Sequence, residues 1–256
     1  MNRGTSTNWR FMQQKTSSHL ALNMPHAGKT TYNAPFSPPS RAMQLRGLIF
    51  DLDGTLGDTL PVCYAAFRVT FQHYLNRDYA DQEIRAMFGP TEDGIFQDMF
   101  PSHWQESLDM YLSEYRRAHQ VCRDPFPGIP EALDLLKQHG LLTAIVTGKG
   151  PGSAKISLEE MGLAGAFDIV EAGSPRGGIK PDCMRKVLQA WELSTDQVAC
   201  VGDAPSDIRS AHEIGAIALG AAWATTANYD SLAALNPSHT FTSTQQFIEW
   251  IKATQG

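Results

Sequence analysis

No two cysteines in this 256-residue chain form a CxxC pair. The four present (Cys63, Cys122, Cys183 and Cys200) are scattered along it. That spacing argues against a zinc site and against a disulfide framework, and fits reduced thiols in a cytosol-like compartment. No apolar run approaches the length needed to span a bilayer, so no membrane partner is expected. Acidic residues are missing altogether before Gly47, where Arg3, Arg10, Lys15, Lys29, Arg41 and Arg46 stand alone. Taking those six from the 21 basic residues leaves 15 against 27 acidic ones, a formal −12 for the body. An acidic body has no electrostatic footprint for nucleic acid. The expected partners are small molecules, and an anionic one would need a metal to help receive it.

What is present is the composition of a folded globular chain, 42% apolar and 19% charged, long enough for one sizeable domain or two small ones. Residues 1–43 are rich in Ser, Thr, Asn, Gln and Pro and show no sustained apolar period. They read as a disordered basic extension, with three origins open: a dispensable tail, an organelle transit peptide, or a start site at Met43. The expected location of the body is cytoplasmic, with organelle targeting by residues 1–43 as the alternative.

From Gly47 onward strand and helix signals alternate. Apolar strands are expected at 47–50, 141–147, 168–171, 198–202, 216–221 and 239–241. Helices are expected at 130–139, 152–161, 182–191, 206–213 and 244–253. Strand–helix alternation predicts a parallel sheet covered on both faces. A helical stretch from Thr59-Leu60-Pro61 to Cys122 interrupts the pattern, and Pro125-Phe126-Pro127-Gly128 breaks it. It reads as an insertion.

The most informative run is Leu48-Ile49-Phe50-Asp51-Leu52-Asp53-Gly54-Thr55-Leu56. A buried strand ends in two acids, and alternate side chains of an extended backbone point the same way. Two carboxylates held that close need neutralising, and a hard divalent cation is the usual answer; by themselves they also fit an ordinary Asp-Gly turn. In open α/β sheets ligands bind beyond the carboxyl ends of the strands. Three further polar clusters fall at such ends: Thr147-Gly148-Lys149, Lys180-Pro181, and Gly202-Asp203 with Asp207. Singly, Thr147 could cap a helix and Lys180 could be a solvated lysine. Acids, a hydroxyl and a lysine at one sheet edge are together what a phosphate-handling metal site requires.

With these four motifs in this order the chain resembles the haloacid-dehalogenase-like (HAD) hydrolase superfamily, in its phosphoglycolate-phosphatase-like branch with a helical cap. Asp51 to Thr55 matches its DxDGT motif, Thr147 its second motif, Lys180-Pro181-Asp182 its lysine motif and Gly202 to Asp207 its GDxxxD motif. The resemblance implies a doubly wound, Rossmann-like core over 44–58 and 127–256 and a helical cap over 59–126. It implies an Mg²⁺-dependent phosphatase acting on a small phosphorylated metabolite through an aspartyl-phosphate. Asp51 would be the nucleophile and Asp53 the general acid and base. Mg²⁺ would be held by Asp51, the Asp53 carbonyl and Asp203, with Asp207 orienting the metal's water or Lys180. Gly54, Thr147, Gly148 and Lys180 would contact phosphate.

Asp53 separates the branches, because dehalogenases lack an acid there. The phosphonate-cleaving branch uses a cap lysine, and none occurs between Thr59 and Phe126. Sugar-phosphate mutases share both features and remain an alternative; a catalytically inactive binding protein on this fold is a further one. Within the cap, Arg85, Gly89, Thr91 and Glu92 lie where relatives place a specificity loop, which could equally be a plain connection between helices. Whether the protein is a monomer or a homodimer is open.

Overall fold

Six short apolar stretches become strands: β1 (Gly47–Phe50), β2 (Leu142–Val146), β3 (Ile169–Glu171), β4 (Val198–Gly202), β5 (Ile217–Ala221) and β6 (His239–Phe241). The computed structural model describes residues 45–255, so the expectations for residues 1–43 lie outside the described residues. All strand pairs are parallel and the order is β3-β2-β1-β4-β5-β6. The chain winds outward from β1 in both directions, so the crossovers reverse between β1 and β4, which opens a crevice at the carboxyl ends of those two strands. Phe50 pairs with Ile145 on one side and Val201 on the other. That register brings the residues just beyond β1, β2 and β4 to one edge: Asp51, Thr147 and Asp203.

The two faces of the sheet explain why its strands read as continuous apolar runs. Leu48 and Phe50 pack on one side with Ile145, Ala199 and Val201, under α5 (Ile129–Gln138), α6 (Pro151–Glu160) and α10 (Thr244–Gln255). Ile49, Ala144, Val198 and Cys200 point the other way, toward α7 (Lys180–Trp191), α8 (Pro205–Ile214) and α9 (Tyr229–Ala233). Successive side chains alternate between faces, and along the central strands β1 and β4 both sets are buried. The parallel sheet covered on both faces, as the alternation predicts, is observed, and its strand order is the doubly wound one that the resemblance implies.

Between β1 and α5 lie α1 (Leu60–Leu75), α2 (Asp81–Arg85), α3 (Glu92–Met99) and α4 (Trp104–Ala118), followed by one 3₁₀ turn at His119–Val121. They share their own apolar cluster, built on Phe67, Phe71, Phe96, Tyr111 and Tyr115. Ring centroids lie 4.6 Å apart for Phe67–Tyr111 and 5.5 Å for Phe67–Phe96. The cluster reaches the sheet-flanking layer through Ile156 of α6. Polar ties run the same way: the hydroxyls of Tyr115 and Ser157 are 2.7 Å apart, and Arg116 donates to Glu159 and Glu160.

Two differences from the sequence expectation have simple causes. Helix α7 begins at Lys180, before Pro181 rather than after it, because proline is tolerated in a first helical turn where its missing N–H costs nothing. The five-residue α9 has no counterpart among the expected helices; one turn carries too little periodicity to read.

Candidate active site

The loop after β1 is held before any chemistry is considered. The Asp51 N–H donates to the Val201 carbonyl at 2.9 Å, continuing the β1–β4 ladder. The loop then turns on itself, with Gly54 N–H to Gly57 O at 2.9 Å and Leu56 N–H to Leu52 O at 2.9 Å. From outside, Trp223 Nε1 donates to the Thr55 carbonyl at 3.0 Å. Gly54 sits at φ +73°, and a Cβ there would lie 2.3 Å from a carboxylate oxygen of Asp203. Only glycine gives both the left-handed turn and room for that acid.

Around this loop the charges are crowded. Carboxylate oxygens of Asp51, Asp203 and Asp207 all lie within 4.8 Å of one another. Lys180, at the first position of α7, places its Nζ 2.8 Å from Asp51 Oδ1 and 2.5 Å from Asp207 Oδ1. Asp207 is buried and also accepts the Ala204 N–H at 3.1 Å. It therefore locks the turn after β4 and aims the lysine. Burial, opposed by Lys180 and aided by the neighbouring acids, holds the Asp51 carboxyl above its ordinary range. Burial and then Asp51 do the same to Asp203. Burial works against the Lys180 ammonium too, but Asp207 and Asp51 outweigh it and keep it charged. One ammonium thus faces three acids. A hard, all-oxygen donor set with surplus negative charge suits a divalent cation such as Mg²⁺.

Asp53 stands slightly apart from this group. Its Oδ1 accepts from the Thr59 hydroxyl and lies 3.3 Å from Lys149 Nζ. Thr147, at the end of β2, donates its N–H to the Glu171 carbonyl at 3.1 Å, while its hydroxyl oxygen accepts the Lys149 N–H at 3.3 Å. Gly148 follows at the cavity wall.

These groups open into a cavity of about 710 Å³ lined by Asp51, Asp53, Thr147, Lys180 and Asp203 on one side and by Leu60, Phe67, Phe88 and Ile95 on the other. Of the four expected specificity residues, Arg85, Gly89 and Glu92 line it. Thr91 does not: it is buried, its N–H bonded to the Ser174 carbonyl and its hydroxyl to Asp93. Glu92 is engaged on several sides. Its carboxylate accepts the Gly150 N–H at 2.6 Å and the Ser153 hydroxyl at 2.5 Å. It therefore ties α3 to the start of α6, where helix N–H groups lack intrahelical partners. Gly54 and Asp207 contribute no cavity wall; the first admits Asp203 and the second holds Lys180.

Sequence reasoning misses Lys149 as a site residue. A lysine beside a glycine at a strand end reads as solvated, and its position within Thr147-Gly148-Lys149 is the only signal. Its side chain is 3% exposed. Thr59 reads only as a helix start, and Arg209 and Ser206, which also line the cavity, carry no signal.

Comparison with known proteins agrees with this geometry. Residues 48–221 match the family described as haloacid dehalogenase-like hydrolase. The chain is 27% identical over 175 residues to pyrophosphatase PpaX of Halalkalibacterium halodurans, covering 68% of this chain and 81% of that one. It is 34% identical over 186 residues to a Dickeya dadantii protein named "Probable phosphatase IndB", covering 69% and 80%. Among solved structures, the haloacid dehalogenase-like hydrolase SP0104 of Streptococcus pneumoniae superposes with a TM-score of 0.65 at 24% identity, covering 81% of this chain and 98% of that one; at that identity it speaks for the fold alone. With its family match spanning all four motifs and its acids and Lys180 meeting at the switch point of the sheet, the chain belongs to the haloacid dehalogenase-like hydrolase family.

Proposed function

We propose that this hydrolase is an Mg²⁺-dependent phosphatase that cleaves a small phosphate monoester through an aspartyl-phosphate. The observation that carries the reading is the pairing of two acids with separate cationic partners: Asp51 with Lys180, and Asp53 with Lys149. The names of the two relatives support phosphoryl hydrolysis.

In this reading a carboxylate oxygen of Asp51 attacks phosphorus and the bond from phosphorus to the ester oxygen breaks. Asp53 passes its proton to the departing alkoxide. Water then attacks the aspartyl-phosphate, giving up a proton to Asp53 as phosphate leaves and the Asp51 carboxylate is restored. A carboxylate is a weak nucleophile, and fixed geometry supplies much of what basicity does not. Lys180 offsets the charge of the nucleophile and of the incoming phosphoryl oxygens. Thr147 and Gly148, at a strand end facing the cavity, offer a hydroxyl and an N–H to phosphate oxygens. Mg²⁺ would be held by Asp51, the Asp53 carbonyl and Asp203, and when bound it would neutralise phosphate oxygens against these acids.

Residues 59–126 act as a cap over a core formed by 44–58 and 127–256. The core handles phosphorus, so discrimination between leaving groups falls to what closes over them, with Arg85 and Gly89 at the cavity wall. The partner is then a small phosphorylated metabolite rather than nucleic acid or membrane; among the described residues no helix is long and apolar enough to cross a membrane.

The test is release of inorganic phosphate from p-nitrophenyl phosphate with Mg²⁺, followed by a panel of phosphorylated metabolites. The expected result is turnover that Asp51→Asn abolishes. Phosphoryl transfer to a second sugar phosphate in place of phosphate release would favour a mutase. No turnover of any ester would overturn the reading.

A further inference from the structure

Lys149 has an environment that bulk solvation does not explain. Its ammonium lies 3.3 Å from Asp53 Oδ1, donates to Cys63 Sγ at 3.0 Å, sits 4.4 Å above the centre of the Tyr115 ring, and is 3.8 Å from Glu92 Oε1. Cys63, Glu92 and Tyr115 come from α1, α3 and α4, whereas Lys149 and Asp53 follow β2 and β1. The backbone of Lys149 is fixed as well, its N–H held by Thr147 and its carbonyl accepting the Gly173 N–H at 2.7 Å. A lysine anchored at both ends, with each face of its ammonium occupied, has one position available.

That position bears on Asp53. The Oδ1 of this acid is engaged twice, by the Thr59 hydroxyl, which donates to it, and by the Lys149 ammonium, which pairs with it at 3.3 Å. Among the described residues Oδ2 takes no protein hydrogen bond, and Asp53 lines the cavity. A carboxyl clamped through one oxygen presents the other in a defined direction, and proton transfer depends on such direction.

We infer that Lys149 is a positioning residue for Asp53. It holds Oδ1 so that Oδ2 meets the leaving-group oxygen, and it is itself kept in place by Cys63, Tyr115 and Glu92 from the inserted helices. This rests on the acid–base role proposed for Asp53. The helices between β1 and α5 thereby complete the proton donor of the site besides shaping the cavity: Thr59 supplies the second clamp at the start of α1, and Glu92 binds both the lysine and the first turn of α6.

The test compares kcat/KM for phenyl phosphate and p-nitrophenyl phosphate with Mg²⁺, two esters of similar shape whose leaving groups differ in basicity. The phenolate is the more basic and needs the donated proton more. In Asp53→Asn, phenyl phosphate should lose more than nitrophenyl phosphate by a factor of at least ~10. Lys149→Met should bias the two rates in the same direction by at least ~5-fold. Both rates come from one sample, so a smaller folded fraction lowers them equally and leaves their ratio intact. The wild-type trio holds one ammonium against two carboxylates. A Lys149→Met/Glu92→Gln chain therefore restores its net charge, and serves if the single variant does not fold. Should Lys149→Met lower both esters equally while Asp53→Asn discriminates, the lysine only binds phosphate or supports the fold, and the inference is overturned. Should Asp53→Asn itself fail to discriminate, the acid–base reading fails first and the inference with it.

Discussion

The two lysines of the site make an instructive pair. Lys180 joins Asp51 to Asp207, and all three belong to the sheet and its flanking helices. Lys149 joins Asp53 to Glu92, so its partners come half from the loop after β1 and half from the helices inserted after it. The first arrangement depends only on the sheet and the helices packed against it. The second exists only when α1, α3 and α4 are seated on α6. In the proposed mechanism, attack on phosphorus is thus organised by the sheet, and proton delivery by a joint between two layers.

Breaking the sheet-borne half should give the largest effects. Chelation with EDTA is expected to abolish turnover, with recovery on adding Mg²⁺; a chelator-resistant hydrolase would contradict the metal reading. Asp51→Asn keeps the shape of the side chain but removes the attacking charge. A loss of at least ~10³-fold, about 4 kcal/mol of barrier, is expected in kcat/KM, and more than a tenth of wild-type activity would rule Asp51 out as nucleophile.

The joint can be loosened without touching the nucleophile. Phe67→Ala removes a ring from the middle of the inserted cluster, where Tyr111 and Phe96 pack on it. A cost of about 3–5 kcal/mol is expected, measured by denaturant unfolding. An unfolding midpoint unchanged from wild type would show that the cluster is not packed as described. Glu92→Gln keeps one acceptor for Gly150 and Ser153 but loses the charge at the α6 terminus. It should cost roughly 1–3 kcal/mol, visible as a lower Tm, and an unchanged Tm would mean that the tie does not hold α3 to α6. At the small end, Arg116→Ala severs an exposed pair with Glu159 and Glu160. Exposed pairs contribute little, so its melting curve should overlay the parent's; a clear drop would mean that the surface ties, and not the buried ones, hold the joint.

Much of this architecture is legible in the residues themselves. Leu48 to Phe50 followed by Asp51 and Asp53 announce a buried strand ending in a site, because strand periodicity and strand ends are local properties. The alternation after Gly47 implies a parallel sheet, and a parallel sheet places its ligand at the strands' carboxyl ends. Thr147, Lys180 and Asp203 can therefore be grouped with Asp51. What lies beyond reach are relations across the chain. Gly54 reads as a turn residue, and nothing local reveals that Asp203 occupies the space its side chain would fill. Glu92 reads as a loop acid facing substrate, yet its carboxylate is spent on Gly150 and Ser153, 58 and 61 residues away.

Lys149 marks the boundary most sharply. By its neighbours in sequence it is an ordinary lysine after a strand. It becomes a buried clamp only because Cys63, 86 residues earlier, arrives beside it together with Tyr115 and Glu92. Sequence alone determined the sheet, its polarity and the acids along its edge, since those follow from short-range patterns of apolar and charged residues. Tertiary structure alone decided which charges meet and which are dry, because burial and Coulomb attraction depend on distance in space and not on separation along the chain.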